Sequence, residues 1–360
     1  MQYIGVTPND LMKLYGIPTA KATQTRNLLS VTGFLRQFAN REDLTLFLGT
    51  HRLDLIKATF TDQSIDGGQN IQTPGSAGEE ANLDIQYTVG LVNFAPVEFI
   101  SSGLSSINGW INLADHWLAQ DNPPTVVSIS YGFNKYVLSK DSTNTLSNHY
   151  AQLGARGVSI LVSTGDGGVA GSQPPSGGVP YEFIPTQFPA SCPYVTAVGA
   201  TKGNPEVAAP FSAGGFSNYF SRDQAPYQKN AVDGYLDQIG SLYEDHFDRN
   251  GRAYPDISAQ GENIFIVLNQ NHKFTGGTSA STPINASIIT LLNDCLIEQK
   301  GRSLGFLNPL LYANPTVLND ITEGSNLGSG TDGFPAKSGW DPVMGLGTPN
   351  FPKMAEAIGV

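Results

Sequence analysis

Val158-Ser159-Ile160-Leu161-Val162-Ser163-Thr164 runs directly into Gly165-Asp166-Gly167-Gly168. A short, β-branched apolar run with no polar alternation is what a strand buried on both faces looks like, as in a parallel sheet covered by helices. Thr125 to Tyr131 (TVVSISY) has the same character, and the helical pattern of Leu146 to Leu153 separates the two. Outward from this pair, Ser30 to Leu35, Ala58 to Phe60, Tyr194 to Val198 and Ile264 to Leu268 read as further strands. Glu42 to Leu55 has helical spacing, with Leu44, Phe47 and Leu48 on one face. The expected fold class is α/β: a mostly parallel central sheet flanked by helices, with ligands bound at the carboxyl ends of the strands. A single domain spanning residues 1–360 is expected, since no stretch reads as an interdomain linker.

Two segments stand out as long connections. Gly165 to Pro189 is rich in Gly, Pro and Ser and is a candidate binding loop, and Asn319 to Pro349 is acidic, glycine-rich and little patterned.

Composition narrows the function. The chain carries 31 acidic residues against 20 Lys and Arg, with charged residues only 14% of the total. No basic block could neutralise phosphates, so no nucleic-acid partner is expected. No apolar run approaches the length of a membrane span, and no basic region with a small-residue cleavage site opens the chain, so no membrane partner is expected either. Sparse charge suits an acidic medium, because protonating the carboxylates leaves few positive charges to repel one another. Cys192 and Cys295 cannot make a four-ligand metal site; one disulfide and two free thiols both fit.

The sharpest local pattern is Gly276-Gly277-Thr278-Ser279-Ala280-Ser281-Thr282-Pro283, followed by the apolar stripe Ile284, Ile288, Leu291 and Leu292. Glycines before a serine at a helix start permit close backbone approach, and the first-turn N–H groups are free to meet negative charge. Those are the needs of a nucleophile beside an oxyanion site, although a plain helix cap would use the same residues. None of the five histidines sits in a small-residue turn opening a helix; His51 and His116 fall on helices and read as surface residues. Carboxylates fill the role of base better. Ser76-Ala77-Gly78-Glu79 has the form of a capping box, which assigns Glu79 to the cap. Glu80 and Asp84 then lie four apart on one helix face, where mutual repulsion raises a pKa, while two surface acids would show the same spacing. Asp166, at a strand end, could donate a hydrogen bond to an oxyanion when protonated, or simply make an Asp-Gly turn.

Together these stretches resemble the sedolisin family of serine-carboxyl peptidases, over nearly the whole chain from Thr7. Gly277 to Pro283 matches that family's Ser-Gly-Thr-Ser-x-x-x-Pro motif, with Gly276 in place of the leading Ser. Its Glu-x-x-x-Asp motif falls on Glu80 and Asp84, and its Ser-x-Gly-Asp-x-Gly motif on Ser163 to Gly168. The resemblance implies a subtilisin-like fold and an acid-active peptidase: Ser279 as nucleophile, Glu80 as general base and acid, Asp84 orienting Glu80, and Asp166 stabilising the oxyanion. It implies a substrate cleft at Ser130, Tyr131 and Gly132, where several bacterial members have Trp in place of Tyr131, and it leaves Gly33-Phe34-Leu35 where those members carry a further glutamate.

The resemblance also implies one structural Ca²⁺ near the C-terminus, in about 319–349, held by the side chains of Asp320 and Asp341 and the carbonyls of Ile321, Lys337 and Gly339. Members are made as proenzymes, so the partners implied are peptide or denatured-protein substrates and the enzyme's own prosegment, with the mature form a monomer, secreted or in an acidic lysosomal or vacuolar compartment. Tyr131 and Gly5-Val6-Thr7-Pro8 resemble the eukaryotic members that release tripeptides; an acid endopeptidase, an inactive peptide-binding relative and a histidine-dependent subtilisin-type enzyme are the alternatives. The Asn285-Ala286-Ser287 sequon lies in the nucleophile helix and is expected to be unmodified.

Overall fold

The computed structural model describes residues 5–134, 137–171 and 187–360. Seven parallel strands form its central sheet: β1 (Leu29–Gly33), β2 (Thr61–Ile65), β3 (Val97–Ser102), β4 (Val126–Ile129), β5 (Ser159–Ser163), β6 (Thr196–Lys202) and β7 (Ile257–Gln260). Their order is β7-β6-β5-β4-β1-β3-β2, with Val207–Ala208 added antiparallel on β6. Leu29 sets the register at the centre, opposite Val97 on one side and Val126 on the other. Every residue of β1, β3, β4 and β5 is buried, as the unbroken apolar runs require.

Helices α1 (Pro8–Tyr15), α2 (Arg41–His51), α3 (Glu79–Leu91) and α7 (Thr278–Lys300) share one hydrophobic core with one face of the sheet, to which α6 (Lys229–Ile239) adds Val232, Tyr235 and Leu236. The other face packs under α4 (Ile107–Leu118) and α5 (Lys140–Ala155). Two of these helices, α3 and α7, are buried almost all round, so neither shows the apolar stripe of a surface helix. A hairpin of β8 (Ile264–Leu268) and β9 (Asn271–Thr275) precedes α7. Its two turn residues, Asn269 and Gln270, both have positive φ, the geometry of a tight two-residue hairpin. Asp43 on α2 holds this turn by accepting the N–H groups of both residues, and also accepts from the Asn82 side chain on α3.

Several boundaries differ from the pattern reading, each for a visible reason. Ala58 to Phe60 precede the strand, which begins at Thr61; Arg41 Nη1 takes Thr59 Oγ1 and the Phe60 carbonyl and ties them to α2. The Glu42–Leu55 helix stops at His51, because Arg52 leaves helical geometry to bury its guanidinium against Asn93 and the Gly90 carbonyl, and a separate 3-10 turn follows at Leu53–Leu55. β1 ends at Gly33, with Leu35 and Arg36 at positive φ. The strand expected at Tyr194 begins at Thr196. Of the Gly165–Pro189 loop, residues 172–186 lie outside the described residues, while Gln187–Phe188 pairs with Phe133–Asn134. The long C-terminal stretch is closed at its ends, where Leu318–Asn319 pairs with Thr348–Pro349. Cys192, buried, and Cys295, half-buried, are not joined. His51 and His116 are half-buried instead of exposed; His51 packs edge-on against Phe265, 4.4 Å between ring centres. Asn285 is buried, its Nδ2 donating to the Ser258 and Ser281 carbonyls, so the sequon is inside the protein. Among the described residues no helix is long and apolar enough to cross a membrane.

Candidate active site

The carboxyl end of β5 delivers Asp166, the carboxyl end of β4 delivers Ser130 and Tyr131, and the starts of α3 and α7 deliver Glu80, Asp84 and Ser279. Four separate elements therefore converge at the strand ends, where the α/β pattern places a site.

The start of α3 is not the capping box expected from Ser76 and Glu79. Gly78 is the N-cap, in extended geometry and with no side-chain cap bond. Ser76 Oγ instead donates to the Ile71 and Thr73 carbonyls, closing its own turn. The acceptor for the first turn comes from outside the helix: Gln37 Oε1 takes the Glu80 N–H at 3.1 Å. A Cβ on Gly78 would come within 2.2 Å of that same oxygen, so only glycine lets Gln37 reach the helix. Glu79, freed from capping, reaches the hairpin: its carboxylate accepts Thr275 Oγ1 at 2.7 Å and pairs with Lys273.

One turn further, Asp84 is fully buried and accepts Ser130 Oγ at 2.8 Å on Oδ1. Its Oδ2 is buried without a hydrogen-bond partner, and so is Glu80 Oε1. One proton shared between the two carboxyls would satisfy both oxygens. Burial is the main force raising both pKa values, with the charges of Asp166 and Glu79 adding at Glu80 and the charge of Glu80 adding at Asp84. The Ser130 hydroxyl lowers Asp84 by donating to its charged form, and the Ser279 hydroxyl would lower Glu80 in the same way when turned toward it. The two acids titrate as a unit.

Ser279 is the second residue of α7 and nearly buried. Its Oγ donates to the Ser130 carbonyl at 3.2 Å, within a side-chain rotation of Glu80. Pro283 has no N–H to give to the carbonyl four residues back, which is that of Ser279. That carbonyl is left for Ser130 Oγ, which approaches it at 3.2 Å. The proline at this spacing thus leaves the Ser279 carbonyl as a second acceptor within reach of the one Ser130 proton, whose shorter contact is with Asp84.

Opposite, Asp166 Oδ1 accepts the Thr278 N–H at 2.7 Å and Thr278 Oγ1 at 3.0 Å. Its Oδ2 stands 2.8 Å from where a Cβ on Gly277 would be, and Gly277 has φ of 131°, so glycine is required there twice over. Burial raises the Asp166 pKa against the lowering effect of the Thr278 bonds, which favours the protonated, donating form.

Tyr131 forms a wall. Its ring meets Phe34 edge-on at 5.3 Å, and Phe34 stacks on Trp110 at 4.6 Å. Its hydroxyl is buried beside the carboxyl pair, and after burial the charges of Glu80 and Asp84 raise its pKa. The Gly33-Phe34-Leu35 region thus offers an aromatic surface where a further acid is missing. Gly132 is exposed, its Cα facing Gln187 Oε1 and the Phe188 carbonyl. The expected cleft residues therefore divide: Ser130 bonds to Asp84, Tyr131 lies beside the acids, and Gly132 is exposed. No histidine among the described residues hydrogen-bonds to Ser279.

The residues expected to hold a metal lie apart from this cluster. Asp341 is fully buried and accepts the N–H groups of Lys337, Val343 and Met344. Asp320 Oδ2 accepts the Gly339 N–H at 2.8 Å. Among the described residues, no group of three or more His, Cys, Asp or Glu is placed to hold a metal. The pattern reading missed Gln37, the contact of Glu79 with the hairpin, and the bond from Ser130 to Asp84. All three join residues far apart in sequence, and only Ser130's place after a buried strand hinted at a role.

A sequence profile of the subtilase family matches residues 89–298. The tripeptidyl-peptidase SED3 of Arthroderma otae is 36% identical over 387 residues, covering 99% of this chain and 65% of that protein. The tripeptidyl-peptidase SED2 of the same organism is 39% identical over 389 residues, covering 98% and 65%. This chain thus spans about 65% of the length of the curated relatives it matches. Among solved structures, Pseudomonas sedolisin, a serine-carboxyl proteinase complexed with two molecules of pseudo-iodotyrostatin, aligns with a TM-score of 0.77 at 22% identity and 98% coverage of both chains. That likeness makes the α/β fold subtilisin-like.

Two outcomes follow from the geometry. Ser130→Ala removes a donor to ionised Asp84, so the pair should hold its proton to higher pH. The acid limb of kcat/KM should move up, and kcat should fall roughly tenfold, with the protein still folded by circular dichroism. Glu80, Asp84, Glu98, Asp166 and Glu206 all have pKa values raised mainly by burial. Groups with raised folded pKa values bind more protons folded than unfolded, so their contribution to stability is full below about pH 4 and is lost as pH rises through the folded values. Lowered values occur at Asp54, Glu79 and Asp233, more exposed groups whose ion pairs contribute little. Thermal melts should therefore show a higher Tm near pH 4 than at pH 7.

Proposed function

The chain belongs to the subtilase family, and we propose that it is an acid-active serine-carboxyl peptidase that releases tripeptides from free N-termini. The observation that carries this reading is the Glu80–Asp84 pair beside Ser279, Asp84 fully buried and Glu80 half-buried with its Oε1 covered, with Asp166 bonded at the start of α7 and, among the described residues, no histidine bonded to the serine.

In this reading the Ser279 hydroxyl turns from the Ser130 carbonyl to Glu80 and gives up its proton as Oγ attacks the scissile carbonyl. The dyad can accept that proton because it begins with only one between two carboxyls. Asp84, braced by Ser130, takes part of the added positive charge and holds Glu80 in place. Asp166, kept protonated by burial and an acidic medium, donates to the oxyanion, with a backbone N–H at the start of α7. Glu80 then returns a proton to the leaving amine, and the ester is hydrolysed by water with the dyad again as base. In acid an imidazole would already be protonated and unable to act as base. The raised carboxyl pKa values and the sparse surface charge support work in an acidic extracellular, vacuolar or lysosomal medium.

The tripeptidyl specificity rests on the relatives, whose names are those of tripeptidyl-peptidases. It needs a cleft closed about three residues before the scissile bond and a carboxylate to pair the substrate's α-ammonium, since a buried, unpaired ammonium is costly. One peptide with a free N-terminus and the same peptide acetylated, digested near pH 4 with products identified by mass, tests it. Tripeptide release from the free peptide alone is expected; equal cleavage deep in both would indicate an acid endopeptidase. Ser279→Ala should leave less than about 1% of activity in either case.

A structural Ca²⁺ held by Asp320 and Asp341 with the carbonyls of Ile321, Lys337 and Gly339 belongs to the same proposal. The donor set fits: two carboxylates and backbone carbonyls are the hard oxygen ligands calcium takes. Among the described residues, those three carbonyls accept no backbone hydrogen bond, and Asp341 is pushed up to about 7, chiefly by burial and also by Asp320's charge, both of which a cation would relieve. Its role would be to hold the C-terminal stretch, far from the reacting atoms. Chelation, or Asp341→Ala, should lower Tm and hasten self-digestion; superimposable melts with and without chelator would count against the site.

A further inference from the structure

Glu79 precedes the base by one residue and points the other way. Thr275 Oγ1 donates to its Oε1 at 2.7 Å, and Lys273 Nζ pairs with its Oε2. Thr275 is the last residue of β9 and lies four residues before Ser279, so this contact joins the start of the base helix to the segment that delivers the nucleophile. The join is reinforced deeper in, where Asn82 Nδ2 and Gln86 Nε2 on α3 both donate to the Val267 carbonyl on β8.

We propose that Glu79 is a positioning residue: gripped by Thr275 and Lys273, it fixes the start of α3 against the nucleophile segment and holds a carboxylate charge beside Glu80. The inference rests on Glu80 being the base.

The groups facing the two glutamates are few. Glu79 meets Lys273 and Thr275 from β9; Glu80 meets Ser279 from α7 and Asp166 from beyond β5, with Asp84 and Tyr131 beside it. Burial works to raise the Glu79 pKa, but its bonds to Lys273 and Thr275 leave it lowered, so Glu79 keeps more of its charge in acid than an ordinary glutamate does. A neighbouring charge that persists in acid makes Glu80 harder to ionise, and the charge on Glu79 does raise Glu80. The grip therefore has two consequences, one geometric and one electrostatic, and they can be separated by substitution.

Glu79→Gln keeps an acceptor for Thr275 and loses the charge. Glu79→Asp keeps the charge and shortens the reach. Thr275→Val keeps the charge and loses the donor. In protein labelled with ¹³C at the glutamate carboxyls, with the Glu80 signal assigned from Glu80→Gln, the apparent pKa at Glu80 should fall by roughly half a unit in Glu79→Gln, a modest shift because Glu79 is partly exposed. It should stay near its original value in Glu79→Asp and Thr275→Val. The acid limb of kcat/KM should follow the same order, while Thr275→Val should lower kcat about three- to tenfold with KM little changed. An unshifted Glu80 signal in Glu79→Gln together with an unchanged kcat in Thr275→Val would overturn the proposal. The carboxyl titration needs no turnover, so a protein that shows the shift but cleaves no peptide would refute the peptidase reading and leave the role of Glu79 standing.

Discussion

Everything at the strand ends depends on α3 and α7 being buried together. A carboxyl on a surface helix would ionise near its ordinary value and be screened by water. Between Ala81 and Leu91, and between Thr278 and Asn293, these helices present no exposed face, so what they carry is held in a poorly solvated interior. Burial is the main cause that raises the pKa values of Glu80 and Asp84, and the charge of Glu80 raises Asp84 further. The polar side chains on both helices must find partners, and those partners fix each helix's rotation: Asn82 and Gln86 on the Val267 carbonyl, Asn285 on the Ser258 carbonyl. Apolar packing alone would tolerate a small rotation; buried hydrogen bonds do not.

Ser130 shows how little material links the site. Its hydroxyl reaches Asp84 and the Ser279 carbonyl, and its own carbonyl accepts the Ser279 hydroxyl. One residue at the end of β4 thereby touches Ser279 twice and Asp84 once. Pro283 makes this possible by withholding the N–H that would otherwise claim the Ser279 carbonyl, and the surrounding buried turns of α7 tolerate the missing bond.

Much of this was legible before the fold was known, because it depends on local patterns. The β-branched runs at Val126 and Ser159 announce buried parallel strands, and the glycines before Ser279 announce a tight approach. Glu80 and Asp84 were readable as a pair from helical spacing alone, without any indication of what covers them. The helix start was misread because Ser76-Ala77-Gly78-Glu79 satisfies the capping pattern, while the acceptor in the fold is Gln37, about forty residues away by sequence. No local rule finds such a partner. The same holds for Glu79, whose contacts lie across almost two hundred residues of chain. Strand and helix ends slipped by one to four residues wherever a long-range side chain, such as Arg41 or Arg52, took the backbone or left it for a buried partner.

The buried acids set the site and the rest of the fold against each other in pH. Glu98 and Glu206, like Asp166, are stabilised in the folded protein as neutral carboxyls, so the fold gains from acid. In the proposed mechanism Asp166 also needs its proton, to donate to an oxyanion. The dyad differs: it must have lost one of its two protons to act as a base, which acid opposes. A working range exists only where the dyad has released its first proton while Asp166 keeps its own. In that mechanism Glu80 and Asp84 share one proton, and hydroxyls that donate to the charged forms, Ser130 to Asp84 and Ser279 once it turns from the Ser130 carbonyl to Glu80, oppose burial and ease release of the first proton. In that mechanism the hydroxyls around the pair would do more than orient it: by easing the first deprotonation they would widen the pH interval in which a half-protonated dyad and a protonated Asp166 coexist.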